Sequence, residues 1–167
     1  MNIQILMLEQ DDPKKCTAAK LVKFGLARNI PRTRHDTIVL DPFAKQFLLS
    51  QDSLIAKSIT AIDCSWNFAQ ETFTKRFAGL ARKLPPLLAG NPVNYSKLNK
   101  LTTVEAISGA LFILNHADLA MSLLGKFTWG HTFYDLNRYL IEDYLKIRSE
   151  EEIEPLLREY GLVKNID

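Results

Sequence analysis

Cysteine is scarce in this chain of 167 residues: Cys16 and Cys64 are the only two, and they form no C-x-x-C pair. That shortage excludes a disulfide framework or a zinc ribbon and points to a reducing, cytoplasmic compartment. Histidine is scarce too. His35, His116 and His131 share no ligand spacing, so no metal site is expected. No apolar run reaches the roughly 18 residues that a membrane span needs. The stretch from Met1 to Leu8 lacks a basic start and turns acidic at Glu9, so it does not read as a signal peptide. Repeats and low-complexity tracts are missing as well. With 47% apolar and 24% charged residues, the composition is that of one globular domain, or two small lobes sharing a core.

Net charge is only +2, but it is unevenly spread. Residues 1–100 hold 15 basic against 8 acidic side chains, while residues 101–167 hold 6 against 11. Between Lys14 and Arg34 there are seven basic residues and no acid. Such a half suits a polyanionic partner, although a solvated face would look the same.

Hydrophobic periodicity predicts strands at Asn2–Leu8, Thr37–Leu40 and Ile59–Ile62. A helix is expected over Ala18–Ala27 with Thr17 as its N-cap, and another over Asn67–Lys83 with Phe68, Phe73, Phe77 and Leu80 inward. Strands alternating with helices argue for an α/β layer with mostly parallel strands. After Leu101 the pattern becomes helical. Thr102-Thr-Val-Glu105 is a capping box, Asp118 opens a helix that Gly125 stops, and Phe133, Leu136, Leu140, Tyr144 and Ile147 line one face of another. Ser149-x-x-Glu152 is a second capping box before Ile153–Tyr160, with Gly161 as its stop and Pro155 an interruption inside it.

Two places carry chemistry. The strand at Ile59 ends in Asp63-Cys-Ser-Trp66, an acid, a thiol, a hydroxyl and an indole at the strand end where α/β sheets place ligands. A helix cap and a packed indole would account for the same residues. The loop Asp11-Asp-Pro-Lys-Lys-Cys-Thr17 precedes a helix, where backbone N–H groups and a hydroxyl suit a carboxylate or phosphate. It has no glycine and no G-K-[ST] ending, so it is not a P-loop. An aromatic beside a carboxylate would suit a cationic, partly apolar ligand.

Five phrases occur in order: Asp12-Pro-Lys-Lys-Cys-Thr17, Asp63-Cys-Ser-Trp66, Leu84-Pro-x-Leu-x-Ala-x-Asn91-Pro-Val-Asn-Tyr95, Leu101-Thr-x-Val-Glu-Ala106 and Lys126-Phe-x-Trp-Gly-His-x-Phe133. Together they resemble the small-subunit ribosomal RNA aminocarboxypropyltransferase family of archaea and eukaryotes. The resemblance implies a SPOUT-like α/β fold: a parallel-sheet lobe with a trefoil knot over residues 1–83, and a knot-completing, all-helical lobe over residues 84–167. It implies transfer of the 3-amino-3-carboxypropyl group of S-adenosylmethionine to N3 of an N1-methylpseudouridine, leaving methylthioadenosine, with no metal. A SPOUT-type methyltransferase and a non-catalytic rRNA-binding assembly factor are the alternatives. The expected partner is small-subunit rRNA or a pre-ribosomal subunit, bound by a monomer with no membrane involved.

By position, the resemblance gives Thr17 the methionine carboxylate, the Ile62 backbone the ribose, and Trp66 the methionine part beside the sulfonium. It gives Leu84, Asn99 and Thr103 the adenine side; Asn99 stands where an aromatic is expected, and Ala18-Ala19 replace an expected glycine. Asp63 is either the base that takes the N3 proton or the partner of the methionine ammonium. Lys15, Lys20 and Arg82 are the expected RNA contacts, extended by Arg28, Arg32 and Arg34. Trp129 and Gly130 read as core and turn, and His131 is open as an RNA contact.

Overall fold

Ser58–Asp63 is buried at every position, the mark of a strand covered on both faces. In the computed structural model, which describes residues 1–163, this segment (β4) is the middle of five strands. Asn2–Met7 (β1) and Thr37–Leu40 (β3) flank it. Arg28–Asn29 (β2) lies beyond β1, and Leu80–Arg82 (β5) beyond β3. The order is β2-β1-β4-β3-β5, parallel throughout.

The period of two along the strands divides the sheet into unequal faces. Ile3, Ile5, Ile38, Leu40, Ile59 and Ala61 join the main core. Packed on them are Thr17–Lys23 (α1), Thr103–Ile113 (α3), Ala117–Leu124 (α4) and Gly130–Tyr144 (α5). The other face holds only Leu6, Val39 and Ile62, with Ile30, Phe73 and Phe77 against them. After β5 every element among the described residues is helical. Their apolar side chains belong to the same main core as the sheet, so the two halves share one interior.

Three expectations are corrected. The segment predicted as a helix over Asn67–Lys83 contains a 3-10 turn at Trp66–Phe68, a four-residue helix at Ala69–Thr72 (α2), and β5. Phe73 and Phe77 have helical spacing but meet edge-on over the sheet's outer face. Gly79, at φ +120, then turns the chain where an added Cβ would lie 2.8 Å from the Thr37 carbonyl. Thr17 is not the cap of α1. Cys16 is, its sulfur accepting from the Ala19 N–H at 3.4 Å, and the helix ends at Lys23. The helix expected to carry Phe133 through Ile147 on one face ends at Tyr144 and leaves Ile147 beyond it; it begins at Gly130, where a Cβ would strike the Leu124 carbonyl. Pro155 falls in the first turn of Ile153–Glu159 (α6), where a missing N–H is tolerated. Both capping boxes and the left-handed Gly161 stand as predicted.

Candidate functional site

At the carboxyl end of the sheet lies a cavity of about 890 Å3. Its walls come from the loop before α1, the ends of β3 and β4, and the segment from Leu84 to Thr103. Thr17, Ile62, Asp63, Trp66, Leu84, Asn99 and Thr103 all border it, although they are spread over nearly ninety residues of chain.

Asp63 is the electrostatic centre of one end. It is buried at the tip of β4 between the starts of α1 and α3. The Cys16 thiol donates to Asp63 Oδ2 at 3.2 Å, and the Thr103 hydroxyl donates to Oδ1 at 2.9 Å. Thr103, expected on the adenine side, is thus committed to the acidic end. Thr17 Oγ1 accepts from the Val104 N–H at 3.2 Å, which ties α1 to α3 and leaves its own proton to donate.

Burial, reinforced by the Asp63 carboxylate, pushes the Cys16 thiol up to about 11 from an ordinary 9.0. Burial raises the Cys64 thiol as well. A thiol whose folded value is raised stabilises the fold fully below its unfolded value and less as it ionises. The unfolding free energy is therefore expected to hold up to about pH 9 and to fall as the pH rises towards about 11. Denaturant midpoints measured across that range test this. Cys16→Ser, which keeps a donor for Asp63, should flatten the slope.

At the other end the wall is a loop held from behind. Glu105 is fully buried on α3 and takes five hydrogen bonds. Those from the Gly90 N–H (2.7 Å), Asn91 N–H (2.9 Å) and Asn91 side-chain amide (2.8 Å) fasten the loop. Those from the Thr102 N–H (2.7 Å) and hydroxyl (2.8 Å) complete the predicted capping box. Asn137, buried on α5, accepts from the Leu88 N–H and donates to the Leu88 carbonyl, both at 2.8 Å, as a neighbouring strand would. The Tyr144 hydroxyl donates to the Pro86 carbonyl at 2.7 Å, and burial raises that phenol far above its ordinary value. At Gly90 only hydrogen fits, since a Cβ would sit 2.4 Å from the Phe133 nitrogen.

Sequence reasoning missed Asn137 and the loop-holding half of the Glu105 role. The signal for Asn137 was an amide set between Phe133 and Leu140 on an otherwise apolar helix face. Asn99 has φ +60, a conformation Asn tolerates, and its side chain accepts from the Leu87 N–H at 3.4 Å. It shapes the loop in place of the aromatic expected there. Trp66 stands at the rim, 51% exposed, with the Lys100 ammonium 5.4 Å from its ring centre. That ring face is already attractive to a cation.

The expected RNA contacts divide. Lys15 is exposed at the cavity mouth, and Lys20 lies half-buried on α1 with its ammonium 5.8 Å from the Phe127 ring centre. Arg82 is otherwise engaged. Its guanidinium pairs with buried Asp52 at 3.3 Å, whose carboxylate also holds the Leu49 N–H, and donates to the Ala81 carbonyl. Arg82 therefore fixes β5 to the turn before β4 and is not a free surface cation. His131 is exposed at the first turn of α5.

Residues 38–161 match the family described as "Ribosome biogenesis protein, C-terminal". Residues 1–35 match a second description, "Possible Fer4-like domain in RNase L inhibitor, RLI". Iron–sulfur clusters are held by sets of cysteine thiolates. The matched segment contains only Cys16, so its residues do not fit a cluster. A protein of Methanococcoides burtonii named 16S rRNA aminocarboxypropyltransferase is 42% identical over 164 residues, covering 95% of this chain and 94% of its own length. One of the same name from Sulfurisphaera tokodaii is 40% identical, covering 95% of each chain. The structure described as the SAM-dependent rRNA:acp-transferase Tsr3 from Vulcanisaeta distributa superimposes with a TM-score of 0.87 at 36% identity, covering 96% of this chain and 89% of that one.

Proposed function

Because this chain belongs to the 16S rRNA aminocarboxypropyltransferase family, we propose that its cavity binds S-adenosylmethionine and directs the aminocarboxypropyl group to N3 of an N1-methylpseudouridine in small-subunit rRNA. The chain is an S-adenosylmethionine-dependent rRNA aminocarboxypropyltransferase acting in ribosome biogenesis. The observation that carries the finer reading is the pairing, in one cavity, of a buried carboxylate with a half-exposed indole. The size of the cavity also suits a nucleoside-sized ligand.

In this reading Thr17 donates its free hydroxyl proton to the methionine carboxylate. Asp63, with both oxygens already accepting, serves as the charge partner of the methionine ammonium. Its remaining lone pairs can accept the ammonium N–H donors. The Ile62 backbone meets the ribose and Leu84 the adenine, with Asn99 shaping the adenine loop. Bound in the cavity, S-adenosylmethionine supplies a sulfonium with three carbons open to attack. Trp66 covers the methyl and leaves the γ-carbon exposed, so selectivity follows from position.

The same reading takes the all-parallel sheet and the loop from Leu84 to Asn99 as a SPOUT-like trefoil knot. Residues 1–83 form the RNA-facing half and residues 84–163 complete the knot, the last four residues of the expected 84–167 lobe lying outside the described ones. Lys15 and Lys20 contact rRNA phosphates, which gives register without reading sequence. In this reading the chain acts as a monomer in the cytoplasm. No helix among the described residues is long and apolar enough to cross a membrane.

The test is product identity. Incubation with carboxyl-labelled S-adenosylmethionine and an RNA bearing one N1-methylpseudouridine should put the label in RNA and release methylthioadenosine. Release of S-adenosylhomocysteine would assign methyl transfer instead, and RNA binding with no consumption would leave only an assembly factor.

A further inference from the structure

A second cavity of about 380 Å3 abuts the first. The two share Asp41 and Phe73 as their common wall. Asp41 follows directly on β3, half-buried at the same sheet edge as Asp63 but on the sheet's other face, the side of Val39 and Phe73. Its Oδ1 accepts from the Phe43 N–H at 2.8 Å, and no cation pairs with it among the described residues. The other carboxylates of the large cavity are differently placed. Asp11 and Asp12 are exposed, and both oxygens of Asp63 are bound.

Beside Asp41, Phe43 is 54% exposed, and its ring lies 6.0 Å from that of Phe73. Exposed aromatics at a cavity rim are platforms on which unstacked bases settle. Lys75 and Arg76 line the smaller cavity and are exposed. A base with a reactive ring nitrogen must leave its helix to be modified. The smaller cavity offers it an aromatic wall in Phe73 and Phe77, two cations for the flanking phosphate, and a carboxylate that also borders the larger cavity.

We propose that Asp41 is the general base of the reaction and that the target nucleotide enters where the two cavities meet, its ring against Phe43 of the larger cavity and Phe73, which borders both. The assignment rests on the aminocarboxypropyl reading above. The N3 proton passes to the Asp41 carboxylate as the N3 electron pair forms a bond to the γ-carbon. The carbon–sulfur bond breaks with its pair going to sulfur, giving neutral methylthioadenosine, and Asp41 later releases the proton to water. Loss of water around Asp41 raises its carboxyl above the ordinary range, which makes it the stronger base. Lys83, Asp63 and Cys64 share the first cavity with it and Lys75 and Arg76 the second, while the Phe43 N–H, by bonding the carboxylate, opposes the rise.

Asp41→Asn keeps the acceptor for the Phe43 N–H. Methylthioadenosine release in single turnover, with the full chain saturated in S-adenosylmethionine and N1-methylpseudouridine RNA, is expected to slow about 10²–10⁴-fold. Co-substrate affinity by equilibrium dialysis should be unchanged. The wild-type rate should rise through the acidic range and level off before the N3 proton itself titrates. A variant at full rate overturns the assignment. So does a loss restored by excess S-adenosylmethionine, which would place Asp41 on the ribose hydroxyls. A wild-type rate that climbs in step with pH through neutrality overturns it without any variant. Wild-type release of S-adenosylhomocysteine would sink the aminocarboxypropyl reading itself, a result distinct from all of these.

Discussion

Glu105→Ala is expected to destabilise the protein by about 4 kcal/mol or more, since buried donors left without an acceptor cost about 1–3 kcal/mol each. Five such bonds converge on this one carboxylate, and water entering the vacated space will recover part of the loss. For a chain of this size each kcal/mol moves the unfolding midpoint by roughly 2–4 °C, so the drop should be on the order of 10 °C. Thermal unfolding followed by circular dichroism measures it. Glu105→Gln separates acceptor from volume: its amide nitrogen faces donors and cannot accept, so it should lose nearly as much although no cavity forms. A shift of under about 2 °C in both variants, less than 1 kcal/mol on that scale, would show that the loop is held by something else.

Trp66→Ala should have the opposite profile, with little effect on stability and a large one on binding. The indole is 51% exposed in a short 3-10 turn, so its removal opens no interior cavity. A cation over an indole is worth about 0.5–2 kcal/mol, and the stacked area adds to that. Affinity for S-adenosylmethionine is therefore expected to fall about 10–100-fold by titration calorimetry, each tenfold being 1.4 kcal/mol. If the affinity stays at the wild-type value, Trp66 does not touch the co-substrate. Trp66→Phe, which keeps a ring of weaker attraction, should lie between.

The two variants mark what could be read from the chain and what could not. β3 and β4 were legible because their apolar β-branched runs are buried at every position, and β1 because Ile3, Ile5 and Leu6 stand buried among partly exposed neighbours. α3 and its cap were legible because a capping box is local chemistry, complete within four residues. β5 was not: three residues carry no period, and Phe73 and Phe77 imitated a helix while covering the sheet. The phrase around Asp63 stood out, and the cavity does gather it with Thr17, Leu84 and Thr103. Arg82 looked like one more cation in a basic half. Only the fold brings Asp52 beside it from thirty residues away. Asp41 was hidden for a related reason, since Asp-Pro after a strand reads as a turn and nothing local says that two cavities meet there. Local rules find elements and caps; they do not find pairings across the chain.

The cavity rim has one more property, and it concerns time. The Phe47 N–H is held by Glu150 across 103 residues, and Leu88 by Asn137 across 49. Neither partner of those bonds exists while the first half of the chain is leaving the ribosome. Parallel sheets and distant contacts fold slowly because loops must close before any contact rewards them, in roughly milliseconds to seconds. The cavity edge should thus be the last part to rigidify, and a nascent chain stalled before α5 should be unable to hold S-adenosylmethionine. The cavity is thus expected to close only after Asn137 and Glu150 have been made.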